Sequence, residues 1–291
     1  MNLLELEPLI DRAISEDIGK GDLTTTLCLP QNLIIEAQII AQEEGIIAGL
    51  DVAELVFKKV AGGIEFQEKV KDGTRVKKGE VVASIKGAAQ DILSAERVAL
   101  NFLQRLSGIA TITAKFVEAV KPYTAKIYDT RKTTPGLRVL EKYAVKMGGG
   151  TNHRFGLYDG ILIKDNHIKV AGGITQAVRQ VQQGLPPGQR LPPGQRLPPG
   201  MKVEVETTDL NEVQEAVNLN VDIIMLDNMS LEMIKEAVKI IRANRKDTLI
   251  EVSGGVNLEN VHQIASTGVD IISIGALTHS PKALDLSLEI K

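Results

Sequence analysis

The sequence predicts an α/β protein with a parallel sheet, on three observations. From about residue 109, short runs rich in Ile, Val and Leu alternate with stretches of helical periodicity, which is the pattern of repeated βα units. The runs are largely apolar, as strands buried on both faces are. Each run is followed at once by a polar residue or a glycine. We therefore expect a β/α barrel, complete or open, with a doubly wound open sheet as the alternative.

The alternating region contains six predicted strands. In chain order they are Ala125–Asp129, Gly160–Lys164, Lys202–Glu206, Asp222–Leu226, Leu249–Val252 and Asp270–Ile274. After the first strand, Leu137, Leu140, Ala144 and Met147 have helical spacing, and the glycines at 148–150 end that helix. Parallel strands place their carboxyl ends at one edge, so the residues that follow the strands are expected to meet there.

The first part of the chain mixes helices and β-rich runs. Its predicted elements are a helix on Leu6, Leu9, Ile10, Ala13 and Ile14, a β-rich run at Leu33–Gln42, a helix at Gly49–Val60, β-like runs within Phe66–Gly87 with turns at Asp72-Gly73 and Lys78-Gly79, and a helix at Asp91–Gly108. Gly108 is predicted to end that last helix as its C-cap. The change from mixed elements to a regular alternation of strands and helices predicts a domain boundary, with residues 1–108 in an N-terminal domain and residues 109–275 in the β/α domain.

Composition and charge exclude several classes of protein. The chain has 291 residues, of which 43% are hydrophobic and 24% charged, as in ordinary soluble domains. A net charge of −3 and a sequence pI near 5.9 argue against nucleic acid or an anionic membrane as a partner. Cys28 is the only cysteine, which excludes an intrachain disulfide and favours a cytoplasmic location. The acidic N-terminal segment is unlike a signal peptide.

Positive charge nevertheless gathers near the predicted strand ends. The cationic or protonatable residues there are Arg131, Lys132, His153, Arg154 and Lys164. Such a set suits a ligand with several carboxylates or phosphates, because Arg can bind a carboxylate through two parallel hydrogen bonds. The ligand is therefore expected to be a polyanion, although each of these residues alone would usually be a solvated surface charge.

Carboxylates and small residues follow the later strands. Glu206 and Asp227 end separate strands and could hold Mg²⁺, which keeps most of its waters and bridges to phosphate oxygens. The segments "SGG" (Ser253–Gly255) and "SIGA" (Ser273–Ala276) are predicted as loops before helices, whose backbone N–H groups could receive a phosphate. The hypothesis of a site rests on the convergence of all these groups at one edge.

A proline-rich repeat interrupts the pattern at Gly184–Gly200. Paired prolines forbid helix and favour an extended polyproline II conformation. The segment could be a docking site for a partner or a tolerated expansion of a loop. The expansion is the favoured interpretation, because long loops cost little free energy.

Several motifs together resemble the quinolinate phosphoribosyltransferase family. They are "DTRKTTPGLRVLEKYAVKMGGGTNHRFGLYDGILIKDNH" (Asp129–His167), "EVE" (Glu204–Glu206), "MLDN" (Met225–Asn228), "EVSGG" (Glu251–Gly255) and "ISIGALTHS" (Ile272–Ser280), preceded by "EDIGKGDLTT" (Glu16–Thr25) and "SAERVALNFLQRLSGIAT" (Ser94–Thr111). The likeness covers nearly the whole chain, and the Gly184–Gly200 repeat is its one clear departure from the family's pattern.

The resemblance implies a fold and an activity. The expected fold is an N-terminal α/β sandwich, with which residues 276–291 pack, followed by an open β/α barrel of the type II phosphoribosyltransferase kind. The expected reaction joins quinolinate and phosphoribosyl pyrophosphate in the presence of Mg²⁺ and gives nicotinate mononucleotide, pyrophosphate and CO₂, for de novo NAD biosynthesis. The family also implies a homodimer or larger homo-oligomer with shared active sites.

The resemblance also assigns roles to particular residues. Arg97 would reach quinolinate across the subunit interface. The pocket for quinolinate would contain Arg131, His153, Arg154 and Lys164, and Thr130 would be a further substrate-binding residue. Lys132 would contact phosphoribosyl pyrophosphate. Glu206 and Asp227 would face its ribose and the metal, directly or through water or substrate. Its phosphate would be bound by Ser253, Gly254, Gly255 and Gly275. Lys132, Glu206 and Asp227 are thus the expected catalytic residues.

Three rival interpretations stay open at this level. One is a relative of the same fold that uses another pyridine carboxylate or belongs to molybdate transport operons. The second is a carrier module, because Val70–Gly87 superficially resembles the turn-rich sandwich that carries biotin or lipoate. The third is a barrel lyase that forms a Schiff base at Lys164.

Overall fold

A computed structural model describes residues 3–183 and 201–291 of the chain, in two compact units. The first unit comprises residues 3–115, 132–150 and 276–291. The second comprises residues 116–131 and the described part of 151–275. The predicted proline-rich segment lies outside the described residues.

The described elements agree in kind and order with the predicted alternation. The strands are β1 (Ile34–Ala41), β2 (Gly45–Ile46), β3 (Glu65–Glu68), β4 (Arg75–Val76), β5 (Val81–Ala88), β6 (Lys126–Tyr128), β7 (Ile161–Ile163), β8 (Val203–Thr207), β9 (Ile223–Asp227), β10 (Leu249–Ser253), β11 (Ile271–Ser273) and β12 (Leu286–Ile290). The helices are α1 (Glu7–Ile18), α2 (Leu23–Cys28), α3 (Leu50–Val60), α4 (Ala89–Ala119), α5 (Arg138–Met147), α6 (Asp165–Ala171), α7 (Ile174–Gln182), α8 (Leu210–Val217), α9 (Leu231–Asn244), α10 (Val261–Ala265) and α11 (Ala276–His279), and a 3₁₀ turn covers Leu3–Glu5.

The first unit contains an antiparallel sheet with the strand order β12-β1-β5-β3. The C-terminal strand pairs with β1, since Ala37–Ala41 lies opposite Leu286–Ile290. The two predicted turns are confirmed: Gly73 and Gly79 both have φ of +86°, a backbone conformation that glycine adopts most readily.

The helix predicted at Asp91–Gly108 is longer than expected. It runs as α4 from Ala89 to Ala119, so the prediction that Gly108 ends it is wrong. A Cβ atom at Gly108 would collide with the backbone carbonyl of Lys282. This glycine therefore allows two segments of the first unit to approach closely, and it does not cap a helix.

The second unit contains a parallel sheet with the strand order β6-β11-β10-β9-β8-β7. All six predicted strands are present in it. The first strand neighbours the last, and the others follow in sequence, so the order is that of a barrel opened between β6 and β7. A doubly wound sheet would reverse its order at a switch point, and this one does not. The expected open β/α barrel is confirmed.

The two faces of this sheet differ in chemistry. Val205, Ile224, Leu226, Ile250 and Ile272 are fully buried and form the apolar core beneath the helices of this unit. Residues of the opposite parity along the same strands face the inside of the curved sheet. Several of those are polar, namely Glu204, Glu206, Asp227, Glu251, Ser253 and Ser273. The inner face therefore carries polar side chains beside apolar ones, and the candidate site is built on it.

None of the described helices is both long and apolar enough to cross a lipid bilayer.

Candidate active site on the inner face of the parallel sheet

An ion pair joins two neighbouring strands at the carboxyl edge of the sheet. Lys164 directly follows β7, and Glu206 lies near the end of β8, with which β7 pairs. The Nζ atom of Lys164 lies 2.7 Å from Oε2 of Glu206, whose side chain is only 6% exposed, while that of Lys164 is 46% exposed. A nearly buried carboxylate is thus neutralised by a cation that solvent, or a ligand, can still reach.

The loops that follow β9 and β10 pack closely against each other. Asp227 accepts a hydrogen bond of 2.7 Å from the side-chain amide of Asn228, which has a left-handed φ of 53°. The N–H of Asn228 donates to the carbonyl of Ser253, at 2.9 Å. Gly254 has φ of +89°, and a Cβ there would collide with the side chain of Asn228. Gly255 has φ of +64° and faces open space. The close approach packs the backbone of Gly254 against Asn228, the residue that follows Asp227.

The loop at Ser253–Gly255 does not lead straight into a helix. The next helix, α10, begins only at Val261, and the side-chain amide of Asn260 donates to the carbonyl of Gly255, at 3.0 Å. The loop does precede a helix, as predicted, but the N-terminus of that helix is not adjacent to the glycines. An asparagine-rich turn, with the sequence "NLEN" (Asn257–Asn260), intervenes because its amide side chains bond to nearby backbone. Any phosphate binding here would use the glycine backbone itself.

His153 lies deeper inside the curved sheet, between two buried carboxylates. Its Nε2 atom is 3.2 Å from Glu204 and 3.4 Å from Glu251, which belong to β8 and β10. Burial by itself lowers the pKa of His153, but hydrogen bonds to both carboxylates outweigh it and raise the pKa to about 10. Burial raises the pKa of Glu204. The three side chains form one charged cluster, which sequence patterns alone did not reveal.

Arg154 reaches toward the amino end of the same sheet. Its Nη1 atom donates to the carbonyl of Gly160, the residue before β7, at 2.9 Å. Burial lowers the pKa of Arg154, and the charge of Arg131 lowers it further, so the two guanidinium groups are close enough to repel each other. A cavity of about 590 Å³ adjoins Arg154 and is lined by the first residues of four strands, Ile161, Ile223, Leu249 and Ile271. His153 and Arg154 therefore face the interior of the curved sheet.

A buried aspartate fixes the segment that carries these two residues. Asp129, fully buried after β6, accepts the backbone N–H of His153 at 2.8 Å. Tyr128 and Thr151 form a parallel bridge at the same point. Thr130 and Arg131 follow directly, and Gly275 follows β11 in the same unit. The sequence motif that begins at Asp129 thus starts with a structural residue, whose carboxylate fixes the backbone at His153.

Two of the predicted site residues belong to the first unit. Arg97 lies on α4 with its side chain 58% exposed, and its Nη2 atom is 3.5 Å from Glu96. Lys132 is also exposed, and its carbonyl accepts a hydrogen bond of 2.8 Å from the hydroxyl of Thr278.

Sequence reasoning overlooked Glu204, Glu251 and Asn228, although each had a signal. Glu204 and Glu251 are charged residues inside otherwise apolar strands, where an unpaired charge would be costly. Glu204 is also two residues from Glu206, so the two carboxylates share a face of β8. The left-handed backbone of Asn228 fits the tolerance of asparagine for that conformation.

The fold and the site define a class of protein: an open β/α barrel whose polar inner face brings cations, carboxylates and glycine backbone together, as suits an anionic ligand. The chain belongs to the quinolinate phosphoribosyl transferase family. The family's C-terminal domain matches residues 109–289, and its N-terminal domain matches residues 22–107. The carrier-module interpretation, confined to Val70–Gly87, does not account for these matches.

Individual relatives agree with the family assignment. The chain is 46% identical to a probable nicotinate-nucleotide pyrophosphorylase [carboxylating] of Synechocystis, over 98% of this chain and 92% of the relative. It is 44% identical to the Bacillus subtilis protein of that name, over 100% of this chain and 95% of the relative. Among solved structures, NadC from Streptococcus pyogenes superposes with a TM-score of 0.90 at 39% identity, over 100% of this chain and 98% of the other.

Proposed function

We propose that this chain is a quinolinate phosphoribosyltransferase of NAD biosynthesis. It would convert quinolinate and phosphoribosyl pyrophosphate to nicotinate mononucleotide, pyrophosphate and CO₂. The observation that carries this proposal is the meeting of Lys164, Glu206, Asp227 and the Ser253–Gly255 loop on one face of one parallel sheet, in a chain that belongs to this family.

Quinolinate is a dianion, and its binding requires cations. Arg131 and Lys164 are proposed to bind its carboxylates, with Thr130, His153 and Arg154 lining the same pocket. The repulsion that lowers the pKa of Arg154 beside Arg131 supports this role, because an anion between the two guanidinium groups would relieve it. The exposure of Lys164 leaves its Nζ atom accessible to a second carboxylate.

Phosphoribosyl pyrophosphate carries more negative charge still. Ser253, Gly254, Gly255 and Gly275 are proposed to bind its phosphate through backbone N–H groups, and Lys132 to contact its pyrophosphate. The left-handed backbone at Gly254 and Gly255 supports this role, since successive N–H groups in such loops form anion-binding concavities.

The chemical step requires stabilisation of positive charge at the anomeric carbon. When pyrophosphate departs, Glu206 and Asp227 can stabilise the developing oxocarbenium ion, directly or through the ribose hydroxyls. The ring nitrogen of quinolinate then forms the new bond and becomes a pyridinium. The carboxylate beside it leaves as CO₂, the electron pair of the broken C–C bond stays on the ring carbon next to the positive nitrogen, and that carbon then takes up a proton from solvent. Positioning and electrostatics suffice, and no covalent bond to the protein is needed.

Mg²⁺ is the proposed cofactor, and the oxygen ligands available fit it. Glu206 and Asp227 lie on adjacent strands, and Mg²⁺ commonly binds one or two carboxylates together with waters and substrate phosphates. Because Lys164 already neutralises Glu206, Asp227 is the more available ligand. When bound, the ion would offset the charge of the departing pyrophosphate.

A homodimer or larger homo-oligomer with shared active sites is the proposed assembly. Arg97 of one subunit would reach the quinolinate of its neighbour. Two observations in the first unit support this: the Arg97 side chain is 58% exposed, and α2 exposes the apolar residues Leu23 (78%) and Leu27 (84%). The two leucines lie four residues apart and so share one face of α2, and contiguous exposed apolar surface is what a partner chain covers.

We further propose the domain boundaries and the location. An N-terminal domain of residues 1–108, joined by residues 276–291, is supported by the pairing of β12 with β1. The barrel domain would then be residues 109–275. The exposed thiol of Cys28 is compatible with the reducing cytoplasm.

A product assay tests the function directly. The protein is incubated with quinolinate, phosphoribosyl pyrophosphate and Mg²⁺, and nicotinate mononucleotide and CO₂ are measured. Nicotinate replaces quinolinate in the control. Equal amounts of mononucleotide from both substrates, or product only from nicotinate, would contradict the proposed specificity.

A further inference from the structure

A buried carboxylate in the first unit holds the turn that follows Lys132. Glu141 on α5 is fully buried. Its Oε2 atom accepts the backbone N–H of Thr134 at 3.1 Å, and its Oε1 atom accepts hydrogen bonds from Arg105 Nε at 3.0 Å and Nη2 at 2.5 Å. Both oxygens are therefore used, one on the turn and one on a guanidinium group.

Arg105 extends the same network from α4. Its Nη2 atom lies 2.7 Å from the hydroxyl of Thr134 and 3.2 Å from the carbonyl of Thr278. Thr278, which is also fully buried, donates its own hydroxyl to the carbonyl of Lys132 at 2.8 Å. The turn is thus held at three atoms: the carbonyl of Lys132, and the N–H and hydroxyl of Thr134.

Such a network contributes little net free energy to folding, because burying a charge has a large desolvation cost. Burial removes the hydration of the Glu141 carboxylate, and pairing with Arg105, whose side chain is 32% exposed, largely offsets that loss rather than adding much stability. Its hydrogen bonds do, however, fix the direction of each group they join. The geometry here fixes the backbone on either side of Thr133, and therefore the starting point of the Lys132 side chain.

We propose that Arg105, Glu141 and Thr278 are positioning residues for Lys132. They set its backbone so that its side chain meets the pyrophosphate of phosphoribosyl pyrophosphate. The proposal rests on the role of Lys132 proposed above. It predicts that loss of the network weakens the use of phosphoribosyl pyrophosphate while the binding of quinolinate stays the same.

The test compares steady-state kinetics for each substrate separately. Thr278→Val removes one hydroxyl at nearly constant volume, Glu141→Gln removes the charge, and Lys132→Ala serves as the reference. Thr278→Val should lower kcat/KM for phosphoribosyl pyrophosphate about fivefold, as loss of one hydrogen bond does. Glu141→Gln should lower it at least about 30-fold, because both Arg105 and Thr134 then compete for one acceptor. KM for quinolinate should change less than about twofold.

Two further variants separate positioning from folding. Arg105→Lys should retain more activity with phosphoribosyl pyrophosphate than Arg105→Met, because the lysine keeps the charge and can still donate hydrogen bonds. Lys59→Gln is the control, since Lys59 pairs with Glu7 and Asp11 elsewhere in the same unit, and should have wild-type kinetics.

The outcomes are distinguishable. If Thr278→Val lowers only the melting temperature, or affects both substrates equally, the proposal is overturned. Normal kinetics in Lys132→Ala would overturn the positioning proposal and also the proposed role of Lys132. The enzymatic function would not be affected by that result, because product formation by the wild type tests it separately. If Glu141→Gln fails to fold, Thr278→Val decides alone, because it leaves the ion pair intact.

Discussion

Lys164 Nζ lies 2.7 Å from Oε2 of Glu206, and this contact links the two halves of the proposed reaction. Lys164 is proposed to bind a carboxylate of quinolinate, and Glu206 to face the ribose of the other substrate. A carboxylate that arrives at Lys164 must share or displace Glu206. Binding of the first substrate would therefore change the charge that the second one meets.

A double-mutant cycle tests this link. Lys164→Met should lower kcat/KM for quinolinate about 100-fold, equivalent to about 2.7 kcal/mol of transition-state stabilisation. Glu206→Gln should also lower activity. In the double variant the combined loss should be smaller than the sum by at least about 1 kcal/mol, because each single variant already breaks the shared contact. The measurement is kcat/KM for both substrates in all four proteins.

The exposed pair Lys239 and Glu236 on α9 is the matched control, with an N···O distance of 3.1 Å. Lys239→Met and Glu236→Gln should leave the kinetics unchanged. Strictly additive losses in the Lys164 and Glu206 cycle would mean that the two residues act independently.

The neighbouring glycines Gly254 and Gly255 offer a matched test of the proposed phosphate loop. Both have left-handed φ angles, so alanine at Gly255 should cost about 1–2 kcal/mol of unfolding free energy. Gly254→Ala should cost about 1–3 kcal/mol more, because its Cβ also collides with Asn228. Thermal unfolding measures the difference, which corresponds to about 2–4 °C for each kcal/mol.

The kinetics of the same two variants report on the loop's function. KM for phosphoribosyl pyrophosphate should rise more in Gly254→Ala than in Gly255→Ala, since the collision displaces backbone beside Asp227. Equal stability and equal KM in both would contradict the close packing of Gly254 against Asn228.

The charged cluster around His153 predicts a dependence of stability on pH. A group with a raised pKa in the folded state binds its proton more tightly there than in the unfolded chain. With the pKa of His153 raised from 6.5 to about 10, its stabilising contribution is complete below about pH 6.5 and is lost as the pH rises through about 10. The melting temperature of the wild type should therefore fall over this range more steeply than that of a variant with both His153→Gln and Glu204→Gln, which also removes the carboxylate whose pKa burial raises.

One contact opposes this prediction, and the experiment decides between them. The backbone N–H of Arg154 points at Nδ1 of His153 from 2.8 Å and disfavours a second proton on the ring. We expect the two buried carboxylates to prevail, because hydrogen bonds to charged groups are stronger than those between neutral groups. Parallel pH profiles for wild type and variant would show that the ring is neutral.

The barrel was predictable because its signals are local and repeated. Each buried strand, from Lys126–Tyr128 to Ile271–Ser273, has its own apolar run. The residue after each strand could therefore be assigned to the carboxyl edge without coordinates. By contrast, the reason for a glycine in the middle of α4, at position 108, is the close approach of the Lys282 carbonyl, far away in the sequence. No local pattern contains that information.

The interior of the site was harder to predict for the same reason. His153 follows a strand-like motif, and its neighbours in sequence suggested the edge of the sheet. Its partners Glu204 and Glu251 come from two other strands, and only the curvature of the sheet brings the three together. The alternation of Glu204 and Glu206 within β8 did indicate a shared face, but not which partner each would find.

Mixing inactive variants tests whether the active site is shared between subunits. Arg97→Ala and Arg131→Ala should each be nearly inactive, because each removes a cation proposed to bind quinolinate. In a dimer with two shared sites, a mixed pair contains one site that lacks both arginines and one that is intact. Activity in an exchanged mixture should therefore recover to about one quarter of the wild type, since about half of the dimers are mixed and each has one working site.

Subunit exchange is verified with differently tagged chains, and a mixture of Arg131→Ala and Lys164→Ala is the control. Those two residues belong to the same unit of one chain, so an exchanged pair would regenerate no intact site if Arg97 is the residue that crosses. No recovery in the first mixture despite proven exchange, or equal recovery in both, would rule out Arg97 as the group supplied by the neighbouring subunit.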